Sequence, residues 1–192
     1  MKAKNFAIIA FVLVALAQLY VPAKMIFEKE GVISGGKEFK FRCAPVDPND
    51  PFRGKYITLR FDATSYESQG TEEWESGEDI FVLLTTDSAG YAIIKSVSKE
   101  KPDINIDYVK AKIYHSVKKS QWRTGTRLTI EYPFEKYYME ESKANPAEKM
   151  YRTSIRSSAK NAYALVSIKN GEAVLKDVMI DKVSIKELVK EK

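Results

Sequence analysis

The chain has 192 residues, 44% of them hydrophobic, and a formal net charge of +5. The apolar content excludes a disordered chain, and the length suits one domain once the first two dozen residues are set aside. Its 31 Lys and Arg residues are spread along the chain with no basic run interleaved with aromatics, which speaks for a solvated surface and against a nucleic-acid partner.

Phe6 to Val21 carries no charge; Lys2 and Lys4 precede it and Lys24 follows. The run predicts an uncleaved transmembrane helix within residues 1–24, with about 18 residues in the bilayer, near the minimum for a span. The competing reading is a cleaved signal peptide, with Ala15-Leu16-Ala17 as the small-x-small site. Apolar character persists beyond that site through Leu19, Tyr20 and Val21, which favours the anchor. Lys2 and Lys4 then place the N-terminus inside and the domain outside. Residues 25–36 read as a linker, and residues 37–192 as an extracytoplasmic β domain.

Strand signals dominate that domain. Glu38–Cys43 alternates, and so does Lys55–Asp62, with Tyr56, Thr58 and Arg60 on one face and Ile57, Leu59 and Phe61 on the other. Asp79–Thr85 and Tyr91–Val97 flank the turn signal Asp87-Ser88-Ala89-Gly90. Tyr108–Ser116, Arg127–Tyr132, Ala162–Ile168 and Glu172–Val178 follow, the last two around Asn170-Gly171. One helix is predicted over Pro146–Ser157, with Asn145 as N-cap and Pro146 at its first position. Cys43 is the single cysteine, read as a buried inert thiol on a strand.

Two loops stand apart. Ser65–Asp79 is acidic around Trp74 but lacks the alternating Asp/Asn and Gly pattern of a calcium loop, so it reads as solvated. Ala44–Arg53 carries three prolines, which exclude regular sheet pairing.

The domain also echoes itself. Phe52–Phe61 resembles Trp122–Tyr132 in the order aromatic, Arg, Gly, then apolar-Thr-apolar-charged-aromatic. Phe81–Val97 resembles Tyr163–Val178, aligning on Gly-x-Ala-apolar-apolar-Lys-x-Val with one gap at the turn. The expected fold is therefore mainly β: two related antiparallel units, about 38–98 and 108–180, forming a sandwich or a barrel, with one inserted α-helix.

Asp47-Pro48-Asn49-Asp50-Pro51-Phe52-Arg53-Gly54-Lys55-Tyr56-Ile57-Thr58-Leu59-Arg60-Phe61 resembles the signature of the GDYXXLXY family of bacterial membrane-anchored proteins. Gly54, Tyr56 and Leu59 match; Lys55 stands for the family's Asp and Phe61 for its last Tyr. Phe134–Glu141, with Glu135, Tyr137, Tyr138 and Glu141, is similar to the second motif, and the Tyr163–Val178 hairpin fits as well. The resemblance assigns no activity. It implies a multi-pass membrane protein as partner and a single-pass location in the cytoplasmic membrane, with the soluble domain on the periplasmic side.

Chemistry is harder to assemble. His115 is the only histidine; it would share a strand face with Ile113 and reads as a partly or fully buried strand histidine. No Gly-rich phosphate loop, HExxH or GxSxG occurs, and no cofactor or metal is expected. Lys55 reverses the charge at a signature position, which argues for structure over chemistry there. The first expectation is a non-catalytic domain that binds a membrane or envelope protein through Asp47, Asp50, Phe52, Arg53, Gly54, Tyr56, Leu59, Phe61, Glu135, Tyr137, Tyr138 and Glu141. The alternative is an envelope hydrolase or glycan-binding module using Glu135 and Glu141 as its carboxylates.

Overall fold

The computed structural model describes residues 2–44, 56–69, 72–103, 106–118, 125–156 and 161–190. Helix α1 (Lys2–Gly35) leads into β1 (Lys37–Arg42), β2 (Tyr56–Thr58), a short 3-10 turn (Asp62–Thr64) and β3 (Ser65–Ser68). Then come β4 (Asp79–Thr86), β5 (Ala92–Ser98), β6 (Tyr108–Lys118), β7 (Thr126–Glu131) and β8 (Lys136–Tyr138). The chain closes with α2 (Glu141–Arg156), β9 (Ala162–Lys169), β10 (Glu172–Ile180), β11 (Val183–Ser184) and α3 (Ile185–Lys190).

The stretch 25–36, read above as a linker, is almost wholly the continuation of α1. Large apolar side chains from Phe6 to Phe27 are exposed, a length of about 33 Å in a helix, close to a bilayer core. The helix is long and apolar enough to cross a membrane. Its last turn is fastened to the β domain. Val32 is buried, and the buried Ser167 hydroxyl donates to the Val32 carbonyl at 2.7 Å. Lys169 Nζ donates to the Gly31 carbonyl at 3.3 Å, a cation at the negative end of the helix. Lys29 pairs with Glu172 at 3.0 Å.

One sheet runs β1-β9-β10-β11 and another β3-β7-β6-β4-β5, all neighbours antiparallel. A parallel bridge, Lys40 to Tyr91, joins the edge strands β1 and β5. A second joins Val109 to Gly171, where Lys110 N–H donates to the Gly171 carbonyl at 2.9 Å. The result is a nearly closed, barrel-like sheet, which settles sandwich against barrel. Alternating residues of β1, β4, β6 and β7 fill the interior: Phe39, Phe41, Ile80, Val82, Val109, Ala111, Leu128 and Ile130 are all buried.

The self-echo has a structural counterpart in strand register. In the β4–β5 hairpin, Leu83 pairs with Ser96 and Leu84 with Ile94, so Lys95 bulges out. In β9–β10, Leu165 pairs with Asp177 and Val166 with Leu175, so Lys176 bulges out. Lys95 and Lys176 are equivalent in the sequence echo, and a bulge at the same place in both hairpins is a specific coincidence. The bridge Cys43–Phe61 likewise matches β6–β7, whose Lys112–Glu131 register sets Ala111 opposite Tyr132. Phe61 and Tyr132 are equivalent in the echo. The opening strands are exchanged: β1 of the first half pairs with β9 of the second, and β6 of the second with β4 of the first. The halves are thus interlocked rather than stacked as separate units.

Three local expectations change. Helix α2 starts at Glu141, five residues before Pro146. The Glu140 carbonyl accepts from the N–H groups of both Lys143 and Ala144, so the first turn forms upstream of the proline. Pro146 is exposed, where the carbonyl left without its N–H can reach water. Of the predicted helix end, Ser157 lies outside the described residues. The inward face of α2 is Ala144, Ala147, Tyr151 and Ser154, a helical spacing. His115 is exposed rather than buried, because β6 bulges at Tyr114 between the pairs Ile113–Ile130 and His115–Thr129, which breaks the alternation. The acidic loop contains strand β3, and its charges are matched by basic neighbours: Glu73 meets Lys118 at 2.8 Å, Glu78 meets Lys99 at 2.6 Å, and Lys99 lies over the buried Trp74 ring.

Candidate functional site

The signature strand and the second motif form one structure. Tyr56, Ile57 and Thr58 of β2 pair antiparallel with Tyr138, Tyr137 and Lys136 of β8. Leu59 N–H donates to the Glu135 carbonyl at 2.7 Å and extends this ribbon. On its other side, Ala44 N–H donates to the Arg60 carbonyl at 2.8 Å, so the end of β1 pairs alongside. The Pro-rich loop leaves beyond Ala44 and rejoins the described chain at Tyr56. Asp47, Asp50, Phe52, Arg53 and Gly54, and Lys55 with them, lie outside the described residues.

The ribbon has two faces of opposite character. Ile57, Leu59, Phe61 and Tyr137 point inward and are buried. Leu59, Phe61 and Tyr137, grouped above with contact residues, therefore belong to the core. Phe41, Phe61, Tyr132 and Phe134 pack there with ring centroids 5.0–6.2 Å apart. The Tyr132 hydroxyl donates to the Ala63 carbonyl at 2.6 Å, and burial pushes its pKa up. The Tyr137 hydroxyl donates to Asp177 Oδ1 at 2.6 Å; burial, then this carboxylate, raise it. No motif in the sequence marks Asp177; its position follows from the β9–β10 register, directly after the bulged Lys176. Cys43 is buried beside this core, its thiol pushed up to about 12 by burial, as an inert thiol requires.

Outward, Tyr56 and Tyr138 stand opposite each other with centroids 5.5 Å apart, and Lys136 Nζ lies 5.1 Å over Tyr56. Tyr138 is 65% exposed. This face of the ribbon, with Tyr56 half-buried and Tyr138 open to solvent beside a cation, lies outside the core.

Glu135 sits at the end of the ribbon on the rim of a cavity of about 330 Å³, together with Arg60, Thr64, Tyr114, Thr129 and Glu131. Its Oε1 accepts the Tyr132 N–H at 3.0 Å and so ties the Tyr132–Glu135 turn. Burial, helped by the charge of Glu131, holds its carboxyl above the ordinary range; the Tyr132 bond, Arg60 and Lys136 oppose this without cancelling it. Glu141 opens α2, and its side chain is outside what is described. Neighbouring Glu140 is exposed, and its bond to Lys143 holds it below the ordinary range.

The raised Glu135 carboxyl makes a prediction. A folded-state value above the unfolded one gives a stabilising contribution that is full below about pH 4.5 and fades as pH rises through the folded value. Measured by urea unfolding across pH 4–7, the stability of the wild type relative to Glu135→Gln should fall as pH rises. A relative stability that rises with pH would mean the folded protein favours the carboxylate.

An exposed apolar helix long enough to cross a membrane, fastened to a barrel-like β domain that carries a tyrosine-bearing ribbon, defines a β-rich protein with one candidate membrane span. The family model for "GDYXXLXY protein" matches residues 18–178, and the chain belongs to that family. No curated protein and no solved structure matches it.

Proposed function

We propose that this is a single-pass protein of the bacterial cytoplasmic membrane whose β domain faces the periplasm and binds a multi-pass membrane protein through the β2–β8 ribbon. The outward Tyr56–Tyr138 pair, with Tyr138 exposed, carries the reading. It is built from both family motifs, Tyr56 directly follows the Pro-rich segment in the sequence, and tyrosine is enriched where binding energy concentrates. Two further features support the location. Lys2 and Lys4 precede the apolar run, which favours an inside N-terminus. The helix also runs without a break into its docking turn on β9–β10, which keeps the domain at the bilayer surface.

The test is co-purification of the full-length chain after mild detergent extraction, followed by mass spectrometry. A recurrent membrane protein should be recovered with the wild type and lost with Tyr138→Ala. That exposed substitution should cost the fold less than about 1 kcal/mol. Recovery of a bare monomer under several gentle conditions would overturn the reading.

A second reading, a hydrolase or glycan-binding module using Glu135 and Glu141, is favoured by one observation: Glu135 and Arg60 border the same cavity. It requires ligand binding or turnover that is lost in Glu141→Gln while the fold survives.

A further inference from the structure

The seam of the barrel holds a second concave site. Along it β1 and β5 meet at the Lys40–Tyr91 bridge, and the sheet opens into a groove of about 730 Å³. Lys40, Tyr91, Asn161, Tyr163, Asp181 and Lys182 line it. None of them belongs to the β2–β8 ribbon, and of the family segments only the Tyr163–Val178 hairpin contributes, through Tyr163.

Three features of this groove point to a ligand. The first is an excess of positive charge: Lys40 and Lys182 border the groove against one carboxylate, Asp181. Neither Lys40 nor Lys182 has a carboxylate partner among the described residues, in a domain where many lysines do. Of the nearby acids, Asp181 bonds a neutral N–H and keeps its charge, which leaves one lysine in excess, while Asp87 is held by its own turn and Arg42. Asp181 Oδ1 accepts the Asn161 N–H at 3.0 Å. Asp87 Oδ1 accepts the N–H groups of Ala89 and Tyr91 at 2.9 and 2.8 Å, and its other oxygen lies 3.8 Å from Arg42.

The second is a fixed aromatic wall. Tyr91 and Tyr163 meet edge to face at 5.9 Å. Arg42 lies 4.3 Å over Tyr91, and Lys40 lies 5.7 Å over Tyr163. Tyr163 is nearly buried, so its ring is held in place, and burial keeps its hydroxyl a neutral donor.

The third is backbone strain at the second lysine. The β10–β11 turn places Asp181 and Lys182 at φ 49° and 69°, both left-handed. The β9–β10 turn solves a similar problem with Asn170 and Gly171, at φ 52° and 84°. Glycine would relieve Lys182, since left-handed backbone is disfavoured for residues carrying a Cβ. Strain kept where it could be relieved is a mark of function.

We infer that this seam groove binds an acidic sugar, a hexose ring whose carboxylate or phosphate lies between Lys40 and Lys182. The sugar ring rests against the tyrosine wall, and its hydroxyls meet Asn161 and the Tyr163 hydroxyl. Lysine suits this role as a mobile point charge, and an amphipathic tyrosine suits a face that is apolar with a polar tip. The site does not depend on partner binding, so Tyr138→Ala should leave sugar affinity unchanged.

Calorimetric titration of the full-length chain in detergent micelles tests it, with trigalacturonate, glucose 1-phosphate and neutral maltotriose as probes. Binding of either acidic probe, with maltotriose at least about tenfold weaker, is expected, since one charge-assisted bond is worth about that factor. Preference between the two acidic probes identifies the anion. Lys182→Gly should weaken acidic-sugar binding about tenfold while raising the melting temperature, a combination that mere loss of folding would not produce. Lys40→Gln should weaken binding in the same way. The inference is overturned if neither acidic probe binds, if maltotriose binds equally well, or if Lys182→Gly leaves affinity unchanged.

Discussion

Replacing Phe41 with alanine is expected to cost about 3–5 kcal/mol, measured by urea unfolding of the full-length chain in detergent. Phe41 is fully buried, and its ring touches those of Phe61, Tyr132 and Phe134, with centroids 5.0–5.5 Å away. These partners come from three separate places: the signature strand, the residue just after β7, and the start of the second motif. A cavity there removes transfer energy, two edge-on ring contacts and one tilted one at once. It also loosens the seat of the β2–β8 ribbon, because Phe61 and Phe134 lie under it. Phe41→Leu keeps most of the volume and should cost less than half as much. A Phe41→Ala loss no larger than that of Phe41→Leu would mean the ring cluster can collapse around the gap, and that the ribbon does not depend on it.

The same residues show how far the sequence can be read. Phe39 and Phe41 alternate with Lys and Arg in one strand, and both rings are buried as that pattern requires. Ile57, Leu59 and Phe61 behave likewise. Long alternating strands and turns with Asn-Gly or a Gly at their close were legible because each residue pair repeats the same message. The short pieces were not. Strand β3 reads Ser-Tyr-Glu-Ser and β8 reads Lys-Tyr-Tyr, too brief for a period to emerge. Their pairing is imposed by β7 and β2, partners remote in sequence. His115 was misplaced because a bulge at Tyr114 shifts every later side chain by one position, and bulges have no composition of their own.

The candidate site was legible only in outline. Its two motifs fall on strands that pair with each other, but the sequence does not say which of their side chains point outward. That is decided by pairing, since Tyr137 and Tyr138 are adjacent and chemically alike, yet one is core and the other surface. The end of the anchor was misread for a related reason. Glu28, Lys29 and Glu30 look like a linker, but their helix is continued by docking on Ser167, which lies 135 residues away from Val32 in the chain.

The two hairpin glycines provide a matched comparison that isolates tertiary packing from backbone conformation. Gly90 and Gly171 are equivalent in the echo, and their φ angles are nearly the same, +81° and +84°. A methyl group on either therefore carries the same left-handed penalty, about 1–2 kcal/mol. Their surroundings differ. Around Gly90 a Cβ meets nothing within 4 Å, whereas at Gly171 it falls 2.4 Å from Cε2 of Tyr108, a buried side chain. Tyr108 cannot retreat freely, because its ring also packs edge-on against Phe81 at 5.7 Å. Gly171 also carries the carbonyl that accepts from Lys110 and joins the β9–β10 turn to β6. Overpacking adds about 1–3 kcal/mol. Gly90→Ala should thus lower unfolding free energy by about 1–2 kcal/mol and Gly171→Ala by about 2–5 kcal/mol. The difference between the variants is a direct reading of what the Gly171 closure contributes to the barrel. Equal losses would mean that the turn can pull away from β6 at no cost, leaving the sheet held together at its Lys40–Tyr91 seam and by the exchanged strands alone.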